Sequence, residues 1–158
     1  MAIVALALLK EVLAPGARLM GLDVGAKTIG IAVSDSALAV ATPMTVLKRG
    51  RFAADAEAIR KLAAERRVGG LVLGLPIGLD GKEGSRSQSV RQFARNLLQH
   101  IDLPLAFWDE RFSTLGAGRA FEGAELSHRR RGEVIDKLAA AYILQGALDR
   151  LSRGPAPA

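Results

Sequence analysis

The chain has no cysteine. That excludes disulfides, zinc–thiolate centres and a cysteine nucleophile together, and it is compatible with a reducing compartment. Aromatic residues make up only 4% of the 158 residues, so the core has to be aliphatic. Histidine is nearly absent too: His100 and His128 lie far apart with no motif around them, so no Ser-His-Asp arrangement can be built. Long apolar runs are missing. The N-terminal stretch Ile3-Val4-Ala5-Leu6-Ala7-Leu8-Leu9 is far shorter than the ~20 residues that span a bilayer. A secretory leader carries positive charge before its apolar run, whereas Lys10 and Glu11 follow this one. We expect an extension over 1–18 that packs on the domain or frays, no membrane segment, and a cytoplasmic protein.

What is present fits one domain with a substantial core: 49% of the residues are apolar, and no repeat or linker divides the chain. The net charge is +6, which favours a polyanionic partner. Half of that excess falls between Arg111 and Arg131, where five arginines face two glutamates. The run Arg129-Arg130-Arg131 suits phosphate contact; the plainer alternative is a solvated loop.

The patterning predicts strands over 19–24 and 29–34 joined by a tight hairpin, and a third over 38–47 that Pro43 makes an edge or irregular strand. Phe52, Ala56, Ile59, Leu62 and Ala63 recur at helical spacing. Leu71–Leu75 reads as a buried parallel strand stopped by Pro76. A glycine-rich loop follows over 77–84, and Ser85-Arg86-Ser87-Gln88 has the spacing of a capping box. The next helix carries Val90, Phe93, Ala94, Leu97, Leu98 and Ile101 on one stripe. A strand over 103–108 runs into Asp109-Glu110. Ser113 or Thr114 caps a short helix over 116–121, the segment 123–132 reads as irregular, and a deeply packed helix runs from about Glu133 to Leu151. Residues 152–158 read as a disordered tail. The order β-β-β-α-β-α-β-α gives a five-stranded mixed sheet, an antiparallel meander plus parallel strands, with helices on both faces. That is the ribonuclease-H-like topology.

Three carboxylates sit in apolar surroundings, where a bare charge is costly to bury. Asp23 ends the first strand between Gly21 and Gly25; it suits a metal ligand or, alternatively, a turn aspartate. Asp109 and Glu110 are strand neighbours pointing to opposite faces, and periodicity does not choose between them because both faces are buried. Asp136 shares a helix face with Ala140, Ile143 and Ala147, so that face packs; the alternative is a surface acid favoured by the helix dipole. Carboxylates gathered in an apolar setting call for a hard divalent cation such as Mg²⁺. The loop from Gly74 to Arg86 leaves the C-terminal end of a strand, where ligands of open α/β sheets bind. It is neither a Walker A loop nor an EF-hand.

Four segments together are more specific. Gly21-Leu22-Asp23-Val24-Gly25 through Ser34-Asp35, Gly74-Leu75-Pro76 with Asp80-Gly81-Lys82-Glu83-Gly84, Asp109-Glu110-Arg111-Phe112-Ser113-Thr114, and Val134-Ile135-Asp136-Lys137-Leu138-Ala139-Ala140 resemble, in order, the motifs of the YqgF family. It is also called RuvX: Holliday-junction-resolvase-like proteins assigned to processing precursor 16S rRNA. Phe112 stands where the family more often has leucine. The resemblance covers 19–151. It implies a two-metal-ion hydrolase of phosphodiester bonds, with Asp23, Glu110 and Asp136 as catalytic acids and ligands of Mg²⁺ or Mn²⁺. It chooses Glu110 over Asp109 by analogy alone. The nucleic-acid contacts expected with it are Lys27, Lys82, Arg86, Arg111, Arg129, Arg130 and Arg131. The expected partner is precursor rRNA or branched DNA. Junction resolvases pair two sites, so a homodimer is a further expectation, although no dimer helix is identifiable. Two other functions compete. One is an ATPase of the actin or sugar-kinase type, which shares the opening motif but needs two such domains. The other is a nucleic-acid-binding factor that does not cut, to which buried acids bring no benefit.

Overall fold

The structure is a computed structural model. It describes residues 3–78, 80–110 and 128–153, with the side chains of 128–133 excepted. The elements are α1 (Leu6–Val12), β1 (Arg18–Val24), β2 (Thr28–Ser34), β3 (Ala41–Lys48), α2 (Phe52–Glu65), β4 (Val68–Leu75), α3 (Ser85–Leu97), β5 (Leu105–Asp109) and α4 (His128–Ser152). The strands form one sheet in the order β3-β2-β1-β4-β5. β1 pairs antiparallel with β2 and β2 with β3, while β1–β4 and β4–β5 are parallel. This is the ribonuclease-H-like α/β sheet, with β1 at its centre.

Strand alternation divides the core in two. Met20, Leu22 and Val24 of β1, Ile29 and Ile31 of β2, and Leu71 and Leu73 of β4 pack against α2 and α3 through Ile59, Phe93 and Leu97. Leu19, Ala32, Val72 and Ala106 face the other way, against Ala140, Ile143, Leu144 and Ala147 of α4 and Leu9 of α1. The glycines of this second face let α4 lie almost on the backbone. A Cβ on Gly21 would stand 2.7 Å from Leu144 Cβ and 2.9 Å from the Ala140 carbonyl. One on Gly30 would run into the Asp136 carbonyl. At the far end of the contact the Trp108 indole lies on Gly146, where an added Cβ would meet the ring at 2.7 Å.

The N-terminal segment joins the sheet. Val4 N–H donates to the Leu105 carbonyl at 2.8 Å, Ile3 bridges Leu105 in parallel, and Leu9 of α1 is fully buried. Four local expectations change. The third strand begins at Ala41 rather than Leu38, because the Asp35 carboxylate accepts from the Ala39 and Val40 N–H groups and holds a turn, with Leu38 at φ +57°. The capping box is absent: Gly84 is the N-cap, without a side-chain bond, and the buried Ser87 hydroxyl donates instead to the Pro76 carbonyl. The α3 helix stops at Leu97, so Ile101 reaches the core from the turn that follows. The last helix starts at His128, so residues 128–132, expected to be irregular, are helical. The expected helix over 116–121 and most of the tail lie outside the described residues.

Gly30→Ala puts a methyl group into the Asp136 carbonyl. Overpacking of this kind costs about 1–3 kcal/mol. Urea unfolding is expected to show that loss, while Gly50→Ala, at a position with open space around it, stays close to wild type.

Candidate active site

Asp23 is the last inward residue of β1 on the α4 face, where it pairs in register with Gly30 of β2. Along β5, Ala106 and Trp108 face α4; Glu110 follows the strand's last residue, Asp109, in a 3₁₀ turn. Glu110 is hydrogen-bonded to Asp23, and its side chain lies over Gly74, whose missing Cβ would fall 2.5 Å from Glu110 Oε1. Any larger residue at position 74 would evict the carboxylate.

Asp136 arrives from α4. Its Oδ2 accepts a hydrogen bond from Thr28 Oγ1 at 2.9 Å, and its charge is felt at Asp23. Among the described residues, no three His, Cys, Asp or Glu side chains converge closely enough to hold a metal ion as they stand. The arrangement is that of carboxylates relieving mutual repulsion in two ways. Asp23 and Glu110 share a hydrogen bond, and Asp136 turns to the Thr28 hydroxyl.

The electrostatics agree. Burial and then the negative charge of Asp23 push the Glu110 carboxyl up to about 7 from its ordinary 4.5. Burial, reinforced by the Asp136 charge, also raises Asp23. Arg86, at the start of α3, pulls both carboxyls down without cancelling the effect of burial. Two acids in contact and a third within electrostatic range, all offering hard oxygen donors, make a donor set that a Mg²⁺-like cation fits.

Of the expected nucleic-acid contacts, Lys27 is exposed in the β1–β2 turn, Lys82 in the loop after β4, and Arg86 beside the acids. That loop borders a cleft of about 460 Å³ lined by Lys82 and Arg86. Arg129, Arg130 and Arg131 lie in the first turns of α4, with side chains outside the described residues, as is all of Arg111. Two residues were not foreseen. Thr28 holds Asp136, and Arg49 donates from Nη1 to the Gly25 carbonyl at 2.8 Å, next to Asp23. For Thr28 the sequence offered no signal, since its partner is 108 residues away.

A family model described as "RuvX: Holliday junction resolvase" matches residues 17–150. The chain belongs to the RuvX family. Among its relatives, a protein of Roseobacter denitrificans named "Putative pre-16S rRNA nuclease" is 60% identical over 135 residues, covering 84% of this chain and 83% of its own. A protein of the same name from Phenylobacterium zucineum is 52% identical over 153 residues, covering 96% and 98%. RuvX membership agrees with known folds. T. thermophilus RuvC in complex with a Holliday junction substrate aligns with TM-score 0.56 at 13% identity, over 87% of this chain and 98% of that one. The Fowlpox virus resolvase in its Holliday junction complex aligns with TM-score 0.50 at 10% identity, over 85% and 98%. At such identities the two structures speak for the fold alone. Among the described residues of this RuvX chain, no helix is long and apolar enough to cross a membrane.

The raised Glu110 pKa has a consequence for stability. Between pH ~4.5 and ~7 the folded chain keeps a proton that the unfolded chain has released, so stability falls as pH rises through that window. Asp23 adds to it with the same sign. In metal-free buffer the melting temperature is expected to drop by a few degrees from pH 5 to pH 7.5, and Glu110→Gln is expected to flatten the slope. A wild-type profile that rises instead would show that Glu110 is not desolvated against Asp23.

Proposed function

We propose that this RuvX-family protein is a divalent-metal-dependent nuclease that trims the 5′ end of precursor 16S rRNA in the cytoplasm. The observation that carries it is the hydrogen-bonded Asp23–Glu110 pair, held with raised pKa values in electrostatic range of Asp136. A protein that only binds phosphate has no use for buried acids, which repel its ligand. The substrate comes from the names of relatives that cover most of both chains.

In this proposal Asp23, Glu110 and Asp136 hold Mg²⁺ or Mn²⁺. The bound cation supplies Lewis acidity and activates water at neutral pH. The chain does the rest. The β1 and β5 carboxylates are presented from rigid strand ends, and α4 carries Asp136 in on a rigid helix. Thr28 orients Asp136 through its hydroxyl. Arg86 keeps the acid pair from taking up more protons and stands where a phosphate would enter. Lys27 and Lys82 lie on the exposed rim, where they would contact backbone phosphates away from the cut; Arg111 and Arg129–Arg131 are assigned to the same task by sequence.

A second reading, cleavage of four-way DNA junctions by a pair of chains, is favoured by the family description. Cleavage assays on labelled precursor 16S rRNA and labelled junction DNA, side by side with Mg²⁺, separate the two. We expect cleavage of the RNA, its loss on adding EDTA, and its loss in Asp23→Asn with the melting curve retained. Unchanged turnover in that variant would remove Asp23 from the chemistry, and preference for the junction would select the second reading.

A further inference from the structure

At the hairpin end of the sheet, on the side of α3, lies a small pocket that shares Arg86 with the acid site. It has a volume of about 90 Å³ and sits between Gly25 and Ala26 of the hairpin, Arg49 after β3, and Arg86 and Ser89 of α3. Two arginines and a serine line it, and among the described residues no acidic side chain does. The volume admits a phosphate group.

Arg49 is held in place before any ligand arrives. Its backbone N–H donates to the Lys27 carbonyl at 2.9 Å, and its Nη1 donates to the Gly25 carbonyl at 2.8 Å. Its guanidinium carbon rests 5.3 Å from the centroid of the Phe93 ring, a cation–π distance. A guanidinium carries five N–H donors, and Gly25 takes one of them. Two other arginines of α2 and α3 carry ion pairs, Arg60 with Glu57 and Arg91 with Glu83, and Arg95 bonds the Gln92 side chain. Among the described residues, Arg49 and Arg86 form no such salt bridge. Arg86 and Ser89 are one helical turn apart, so both side chains face the hairpin. Ser87, one position on, is fully buried and bonded to the Pro76 carbonyl, which fixes the rotation of α3.

We propose that this pocket binds a backbone phosphate one or two nucleotides from the bond that is cut, with Arg49 and Arg86 as its two cationic walls and the Ser89 hydroxyl as a third donor. The site rests on the nuclease reading of the neighbouring acids, and it fixes how a strand lies on them. A phosphodiester in the arginine pocket and the next ones over the acids match the alternation of charge along the surface. Guanidinium forks suit such a phosphate. Arg49 acts on position and grip, away from the reacting atoms.

The test uses a labelled RNA strand with single methylphosphonate substitutions at successive positions, each removing one negative charge. Binding is read by fluorescence anisotropy with Ca²⁺ in place of Mg²⁺. In the wild type one position is expected to weaken binding about tenfold. Arg49→Gln is expected to weaken the unmodified strand by a similar factor, to lower the salt slope by about one, and to become insensitive to that same position. Arg86→Gln, at an exposed residue, is expected to lose the same sensitivity and covers the case in which loss of the Gly25 bond unfolds the Arg49 variant. A purely structural role for Arg49 would leave the positional effect intact in every folded variant, and that result overturns the proposal. Positional coupling in a chain that fails to cut would uphold the pocket and sink the nuclease reading.

Discussion

The close approach of α4 to the sheet is the constraint on which the site depends. Ordinary helix–sheet packing leaves room for a layer of side chains. Here Gly21 and Gly30 open gaps in that layer, where an added Cβ would run into the Asp136 carbonyl or come within 2.9 Å of the Ala140 carbonyl. Only with the helix this close does a short aspartate on α4 reach a strand-end hydroxyl on β2. A glutamate could bridge a wider gap, but with more rotamer freedom to lose. The contact is also long. It runs from Asp136 over Gly30 to Gly146 under Trp108, so α4 is held against the sheet over that stretch.

The acids are placed at the expense of local stability. Glu110 sits against Asp23 with its pKa near 7, which means that the folded chain holds at neutral pH a group that water would leave ionised. Strain of this kind is what a cation relieves, and perturbed carboxyls in contact are more common at functional sites than elsewhere. The two hydrogen-bond solutions, Asp23 with Glu110 and Asp136 with Thr28, are compatible with the absence of a three-acid cluster among the described residues. Side-chain hydrogen bonds of this kind are weak enough to be exchanged for metal coordination.

Much of the fold was legible because the strands announce themselves. The runs at 19–24, 29–34 and 71–75 are short and mostly apolar, the first stopped by Gly25 and the last by Pro76, and all three pair as expected. What failed was local chemistry with two valid solutions. Ser85 has capping-box spacing, yet the Pro76 carbonyl captures Ser87 and the box has no role. Leu38–Val40 has strand composition, yet the Asp35 carboxylate bonds two of its N–H groups into a turn. The Asp109/Glu110 choice could not be read from periodicity, since Ala106, Phe107 and Trp108 are apolar on both faces. It needed the fold, which pairs Trp108 with Gly74 and lays the Glu110 side chain over that glycine.

Arg49 marks the limit of reading a chain in order. In sequence it is one cation in Lys48-Arg49-Gly50-Arg51 after an edge strand, the ordinary place for solubilising charge. Its character comes from two segments it meets only in the fold: the hairpin, through the Gly25 carbonyl, and α3, through the Phe93 ring and Arg86 across the pocket. Arg49 and Arg86 face one cavity whose described lining holds no acid, while Arg86 also lies in electrostatic range of Asp23 and Glu110 on its other side. Next to it the same protein gathers negative charge. A polymer with regularly spaced phosphates and a divalent cation answers both excesses at once, which a small neutral ligand or a free nucleobase does not. The charge pattern therefore limits what can lie across this end of the sheet, independently of which strand it is.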